Sequence, residues 1–467
     1  MRARTTKSSR ARSVAIMYQV YERRVRTYLS RCVADAFLAG VWNERAMVAR
    51  AGRSLDPRPS WILPIAREVL DAYHRAPADR PRELAAFIAL ALAGRPRPDD
   101  ELDPPRVRRW LLPEPAMGRR PWPVPELTTV AELAALLELS DGHLAWLADA
   151  RGWERTVTEE RLRNYSYASL PRRSGPPRVI ERPKHRLKQI QRRVLHEILD
   201  RIPAHDAAHG FTRGRSAVTH ANTHTGRFVV VRLDLEDFFA QVTAGRVFGI
   251  FRAAGYPESV AYTLTALSTN VVPLALTRRL SLPSEPQLAG PQSRLARRLA
   301  TPHLPQGAPT SPALANLAAF GLDRRLAGLA KALALTYTRY ADDITFSGPR
   351  RLAASARELR ATVAQIAREE GFAVNHRKSS LTTRAGSQQV CGVVVNSHPN
   401  VRRADYDTLK AIIHNAARHG PTGQNLAKER DFRAHLLGRI AWVEQLNPQR
   451  GAKLRGRFAE IAWSEDA

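Results

Sequence analysis

Tyr340-Ala341-Asp342-Asp343 is the stretch on which the reading of this chain turns. It lies between two short runs, Leu335 to Arg339 and Ile344 to Ser347, in which apolar and polar residues alternate. Alternation with a period of two reads as a half-buried strand, and two such runs across a tight connection read as a hairpin. Both aspartates then sit at the hairpin tip. Adjacent acids are poor neighbours unless a cation lies between them and another acid. A hard divalent ion such as magnesium suits carboxylate oxygens. Taken alone, an Asp-Asp pair also reads as a solvated turn, so the order of the other segments has to decide.

Upstream, Phe228 to Leu235 is β-branched and nearly continuous, as a buried sheet strand should be. Asp234 falls near its C-terminal end and is followed by Glu236, Asp237, Phe238 and Phe239. A carboxylate inside such a strand is costly unless it is paired or metal-bound, or unless it caps a following helix. Between this strand and the hairpin comes Leu304-Pro305-Gln306-Gly307-Ala308-Pro309-Thr310-Ser311-Pro312, which leads into a helical run from Ala313 to Leu329. Small residues and prolines there let the backbone approach a flat ligand closely. After the hairpin come Glu370-Gly371-Phe372-Ala373-Val374-Asn375, Lys378, and the run Gln389 to Asn396.

Asp234 with its paired phenylalanines, then Pro-Gln-Gly-Ala-Pro-Thr-Ser-Pro, then Tyr-Ala-Asp-Asp, in this order, resembles a reverse transcriptase, and within that group the bacterial retron reverse transcriptases. The retron marker Asn-Ala-x-x-His reads His220-Ala221-Asn222-Thr223-His224 here, with the first position changed. The marker Val-Thr-Gly reads Val390-Cys391-Gly392. Ala208-His209-Gly210-Phe211-Thr212-Arg213-Gly214-Arg215-Ser216 also matches. The resemblance covers Arg178 to Asn396 and is weak over the first 125 residues.

The resemblance implies an α+β, right-hand polymerase of fingers, palm and thumb, with an additional helical N-terminal extension. Asp234, Asp342 and Asp343 would be catalytic and, with the Leu235 carbonyl, would hold two magnesium ions, or manganese. Phe239 would be the steric gate against a 2′-hydroxyl, with Phe238 in the core. Gln306 and Gly307 would line the nucleotide pocket, Arg178 and Lys184 would hold the triphosphate, and Lys378 would meet the pyrophosphate. Lys188, Arg192, Arg213, Arg215, His220, Asn222, His224, Lys410 and Arg433 are the candidates for nucleic-acid contact. The implied partners are a structured non-coding RNA serving as template and primer, its branched RNA–DNA product started at a guanosine 2′-hydroxyl, deoxynucleoside triphosphates, and a separate effector protein in anti-phage defence. Two alternatives stand beside this reading: another bacterial reverse transcriptase of the group II intron or diversity-generating type, and an inactive nucleic-acid-binding scaffold. The intact set of three acids argues against the scaffold.

Composition agrees with a polyanionic partner. The chain has 467 residues, 44% hydrophobic, and a formal net charge of +29. That balance points to nucleic acid before an anionic membrane surface. No apolar run approaches the ~20 residues of a membrane span, and the basic N-terminus lacks a following signal-peptide core, so a cytoplasmic location is expected. Cys32 and Cys391 are the only cysteines, which excludes a disulfide framework.

Along the chain the expected organisation is a basic tail and helical extension over 1–93 and a linker over 94–125. A small helical segment over 126–160, fingers and palm over 161–399, and a helical, basic thumb over 400–467 follow. The linker holds nine prolines, a density that blocks helices and sheet ladders. Thr129 to Glu132 reads as a capping box that opens a helix. Arg186 to Leu199 reads as an amphipathic helix with Lys188, Arg192 and Arg193 on its polar face.

Overall fold

The computed structural model describes residues 25–95, 105–172, 175–281 and 288–463. The basic stretch over residues 1–13 lies outside them. The chain divides into two compact units, Met1–Arg151 with Val247–Leu267, and Gly152–Arg246 with Ser268–Ala467.

The first unit is mainly helical. Residues 25–38, Glu44–Ser54, Ile62–Ala72 and Pro81–Ala93 form helices. Their apolar residues recur three and four apart, and one core gathers Phe37, Met47, Ile65, Leu84 and Ile88. A two-residue ladder pairs β1 (Leu55–Asp56) with β2 (Arg106–Val107). β2 falls at a proline-free point of the stretch expected as a linker. Trp110 Nε1 then donates to Asp35 Oδ2 at 2.7 Å, so this stretch is fastened to the helices. Thr129 caps helix Val130–Leu136 by accepting from Glu132 N at 3.1 Å, while the Glu132 carboxylate reaches back to Thr128 N at 2.7 Å. The reciprocal bond thus lands one residue before the cap. Val247–Leu267 belongs to this unit through Arg252, which pairs with Asp79 at 2.7 Å, and Glu258, which accepts from Arg82 N at 2.9 Å.

In the second unit a short helix, Trp153–Thr156, and a 3-10 turn, Glu160–Leu162, precede an antiparallel pair, β3 (Tyr165–Leu170) and β4 (Arg178–Pro183). Helix His185–Glu197 buries Leu187, Ile190 and Val194 and leaves Lys188 and Arg192 exposed. The central sheet comprises β5 (Val229–Leu235), β6 (Thr336–Tyr340), β7 (Asp343–Gly348) and β8 (Val374–Thr383), antiparallel in the order β6-β7-β5-β8. β5 lies between two partners, which is why it can afford so few polar residues. Two further short strands, β9 (Gln389–Val390) and β10 (Val393–Val394), form a tight pair. They share a core with the C-terminal helices Arg403–His419, Phe432–Leu446 and Pro448–Ala459, through Val393, Ile413, Leu436, Ile440 and Phe458. Among the described residues, no helix is long and apolar enough to cross a membrane.

Candidate active site

The Tyr340–Asp343 turn is held from three sides. Tyr340 pairs with Asp343 across the hairpin, which leaves Ala341 and Asp342 as the two turn residues. Ala341 has φ 54°, the left-handed conformation that tight two-residue hairpin turns use and that side chains disfavour. The Arg339 guanidinium holds it there by donating to Ala341 O at 2.9 Å. Arg339 is itself fully buried and forks onto Asp323, with Nε to Oδ1 at 2.8 Å and a terminal nitrogen to Oδ2 at 2.6 Å. Below the turn, Gly210 lies so close that a Cβ would stand 2.6 Å from Ala341 N, so no larger residue fits without moving the backbone. From the sheet, Leu235 N donates to Asp342 O at 2.9 Å.

This frame brings the acids together. Asp234 on β5 is directly opposite Asp343 on β7, and Asp342 is the preceding turn residue. All three line one cavity of about 640 Å³. Burial raises the pKa of each carboxyl, and a neighbouring aspartate raises each further. Two cations oppose this. Lys378 Nζ is 3.0 Å from both oxygens of Asp234, and Arg232 reaches Asp343 Oδ2 at 2.5 Å. The Cys391 thiol is 3.9 Å from the same Asp343 oxygen, and burial together with that carboxylate pushes its pKa up to about 12.

For a divalent ion the donor chemistry fits: desolvated carboxylates at neighbouring positions are what hard cations take. Asp234 is engaged by Lys378 and Asp343 by Arg232, and no three His, Cys, Asp or Glu side chains converge on one point among the described residues.

Of the other residues expected at the site, Leu235, Arg178, Phe239, Gln306 and Lys378 line the same cavity. Phe238 is buried and packs on Phe372, with ring centroids 5.6 Å apart. Gly307 supports the wall: its φ is +139°, and a Cβ would stand 2.7 Å from Glu181 O. Lys184 is elsewhere, donating to Glu160 O. Lys188, Arg192, Arg213, Asn222, Lys410 and Arg433 are exposed, whereas Arg215 folds back onto the carbonyls of Asp206 and Ala208.

His220 and His224 occupy a different environment from the nucleic-acid surface expected for them. Both side chains are fully buried against the hairpin. His224 shares hydrogen bonds with Ser347 and Thr338 at 2.7 Å each, and His220 shares one with Thr338 at 2.7 Å. Burial holds both neutral, with pKa values pushed down to about 2 for His220 and about 3 for His224. Their geometry braces β6 and β7 from behind. Sequence reasoning missed Arg232, Arg339 and Asp323. A basic residue two before Asp234, and another two before Ala341, were the available signals.

The family model "Reverse transcriptase (RNA-dependent DNA polymerase)" matches residues 170–408. Over 353 residues the chain is 40% identical to Retron Mx65 reverse transcriptase of Myxococcus xanthus, covering 75% of this chain and 76% of that one. The chain belongs to the retron reverse transcriptases. This retron reverse transcriptase is also 36% identical over 350 residues to Retron Mx162 reverse transcriptase of Myxococcus xanthus, covering 72% of this chain and 67% of that one. It is 32% identical over 239 residues to Retron Ec86 reverse transcriptase of Escherichia coli, covering 51% of this chain and 64% of that one. Among solved structures, a foamy viral protease-reverse transcriptase in complex with double-stranded DNA aligns over 88% of this chain and 58% of its own at 13% identity. The TM-score of that alignment is 0.36, too low to carry an argument. The enzyme is an RNA-directed DNA polymerase, of a family that generally depends on a divalent metal.

Proposed function

We propose that this reverse transcriptase copies a structured non-coding RNA into a single-stranded DNA that remains branched from that RNA. Synthesis starts at a guanosine 2′-hydroxyl, and the product serves anti-phage defence with a separate effector. Its reaction centre is the trio Asp234, Asp342 and Asp343. The observation that carries this is the register: β5 and β7 place Asp234 opposite Asp343, with Asp342 at the turn, in a cavity that also holds Phe239, Arg178 and Lys378. In this reading the four-stranded sheet is the palm, β3 and β4 with helix His185–Glu197 belong to the fingers, and the C-terminal helices are the thumb.

Asp234, Asp342, the Leu235 carbonyl and, less directly, Asp343 would hold two magnesium ions, or manganese. Bound there, the metals supply a lowered pKa at the attacking hydroxyl and screening of the departing pyrophosphate. The protein's own groups do the rest. Arg178 steadies the triphosphate from the fingers, and Gln306, with Gly307 behind it, frames the base. Lys378 sits on Asp234, within reach of the leaving group, to which it donates a proton or lends its charge. Exposed Lys188, Arg192, Lys410 and Arg433 contact backbone phosphates and 2′-hydroxyls, a type of contact that weakens steeply with salt.

The ring of Phe239 lies under the nucleotide sugar and excludes a 2′-hydroxyl. Phe239→Val should lower the ratio of kcat/KM for deoxynucleotide over ribonucleotide by about tenfold or more. An unchanged ratio in that variant, with a shifted one in Phe238→Val, would assign the gate to the other ring.

The test of the product is direct. Enzyme purified from its native host should carry one dominant small RNA covalently joined to single-stranded DNA. RNase should shorten that species and spare the DNA, and DNase should spare the RNA. Recovery of heterogeneous cellular RNA without attached DNA would defeat the proposed product and leave the polymerase activity standing.

A further inference from the structure

Phe211 is an apolar ring that the fold exposes at a cost. Its backbone has φ 60°, a left-handed conformation that bulky side chains avoid. The neighbouring chain holds it there. His209 N donates to Arg339 O at 2.7 Å, and Asn316 Nδ2 donates to Gly210 O at 2.8 Å. Gly210 itself is pressed against the turn that carries Asp342. The result is a side chain that is 52% exposed, although it belongs to the wall of the cavity holding the three acids. Its ring centroid is 6.2 Å from that of Phe239 and 6.3 Å from that of Tyr340. A ring needed only for packing would turn inward. This one lies beside two other rings, tilted 49° to Phe239 and 38° to Tyr340, and lines the cavity.

We infer that Phe211 is a nucleotide-binding residue: with Phe239 and Tyr340 it forms a three-ring platform on which the flat base or the sugar of a nucleotide packs. Two nucleotides have that chemistry at this place, the incoming deoxynucleoside triphosphate and the terminal nucleotide of the primer–template duplex. Aromatic rings suit both, because every base presents a π-face and the contact is tolerant of sequence. The inference rests on the reading that Asp234, Asp342 and Asp343 form the reaction centre.

The experiment uses the full-length enzyme with a generic RNA template and DNA primer, and the variants Phe211→Ala, Phe211→Tyr and Phe211→Leu. Two quantities are measured: KM for deoxynucleotide in primer extension, and Kd for the primer–template duplex by anisotropy without nucleotide. Phe211→Ala should raise one of them about tenfold or more, as loss of a stacking contact does. Its melting temperature should stay close to that of the parent, because the ring is half exposed. Phe211→Tyr should restore the value, and Phe211→Leu, apolar but not flat, should restore it less. A rise in KM alone assigns the platform to the incoming nucleotide, and a rise in Kd assigns it to the duplex end. Unchanged KM and Kd in Phe211→Ala, including the case where only kcat falls, overturns the inference. So does full rescue by Leu. The duplex measurement involves no catalysis, so its failure is distinguishable from failure of the acid assignment, which is read from synthesis by an Asp342 variant.

Discussion

Asp342→Ala should end DNA synthesis while leaving the protein folded and able to hold duplex. The carboxylate lies at the turn between Tyr340 and Asp343, in the cavity with Asp234. If it holds the ions that activate the hydroxyl and screen the leaving group, losing it removes several kcal/mol of transition-state stabilisation. At about 4 kcal/mol that is roughly a thousandfold in rate. Stability should move the other way or not at all. Burial and the neighbouring Asp343 both raise the Asp342 pKa, so its ionised form is held against an unfavourable environment. Removing the charge relieves that repulsion. The checks are primer extension with magnesium and with manganese, a thermal melt, and duplex affinity. Synthesis within tenfold of the parent would remove Asp342 from the reaction centre.

The strands that carry the acids could be read from the sequence because their patterns are strong. The run Phe228 to Leu235 is apolar enough to demand two neighbours, and the alternation either side of Tyr340 demands a hairpin. The amphipathic helix could be read for the same reason, since Leu187, Ile190 and Val194 fall on one stripe. His220 and His224 show where such reasoning stops. His220 lies in the short helix Ala217–Thr223 and His224 directly follows it, but a spacing of four does not say whether their shared face meets solvent or sheet. The hydroxyls of Thr338 and Ser347 that receive them are more than a hundred residues away. Arg232 was hidden for a related reason: one basic residue in an apolar strand carries no sign of its partner until Asp343 is placed across from it. In the proline-rich stretch the inference from composition was sound for helices but too broad for ladders. Prolines cannot donate, yet Arg106 and Val107, between them, can pair.

The buried pair of Arg339 and Asp323 should show the largest effect on stability. Both side chains are 0% exposed. Asp323 accepts twice from the guanidinium and once from the Tyr337 hydroxyl at 2.7 Å, and Arg339 also donates to Asn316 Oδ1 at 3.1 Å and to Ala341 O. Removing the acid leaves a guanidinium without its counter-charge in the interior. Breaking such a pair from one side typically costs about 3–5 kcal/mol. Asp323→Ala should therefore lower the urea midpoint strongly with little change in slope. Replacing both partners with apolar residues, Arg339→Met with Asp323→Leu, should recover much of the loss, because no stranded charge remains. Activity should not recover with it. The Ala341 carbonyl would still lack its donor, and the turn that aims Asp342 would lose the group that holds its left-handed residue. A double variant that regains both stability and full synthesis would show that the Arg339 bond to Ala341 is dispensable to the turn. One that regains stability alone separates the two functions of a single guanidinium, neutralising Asp323 in the core and fixing the carbonyl one residue before Asp342.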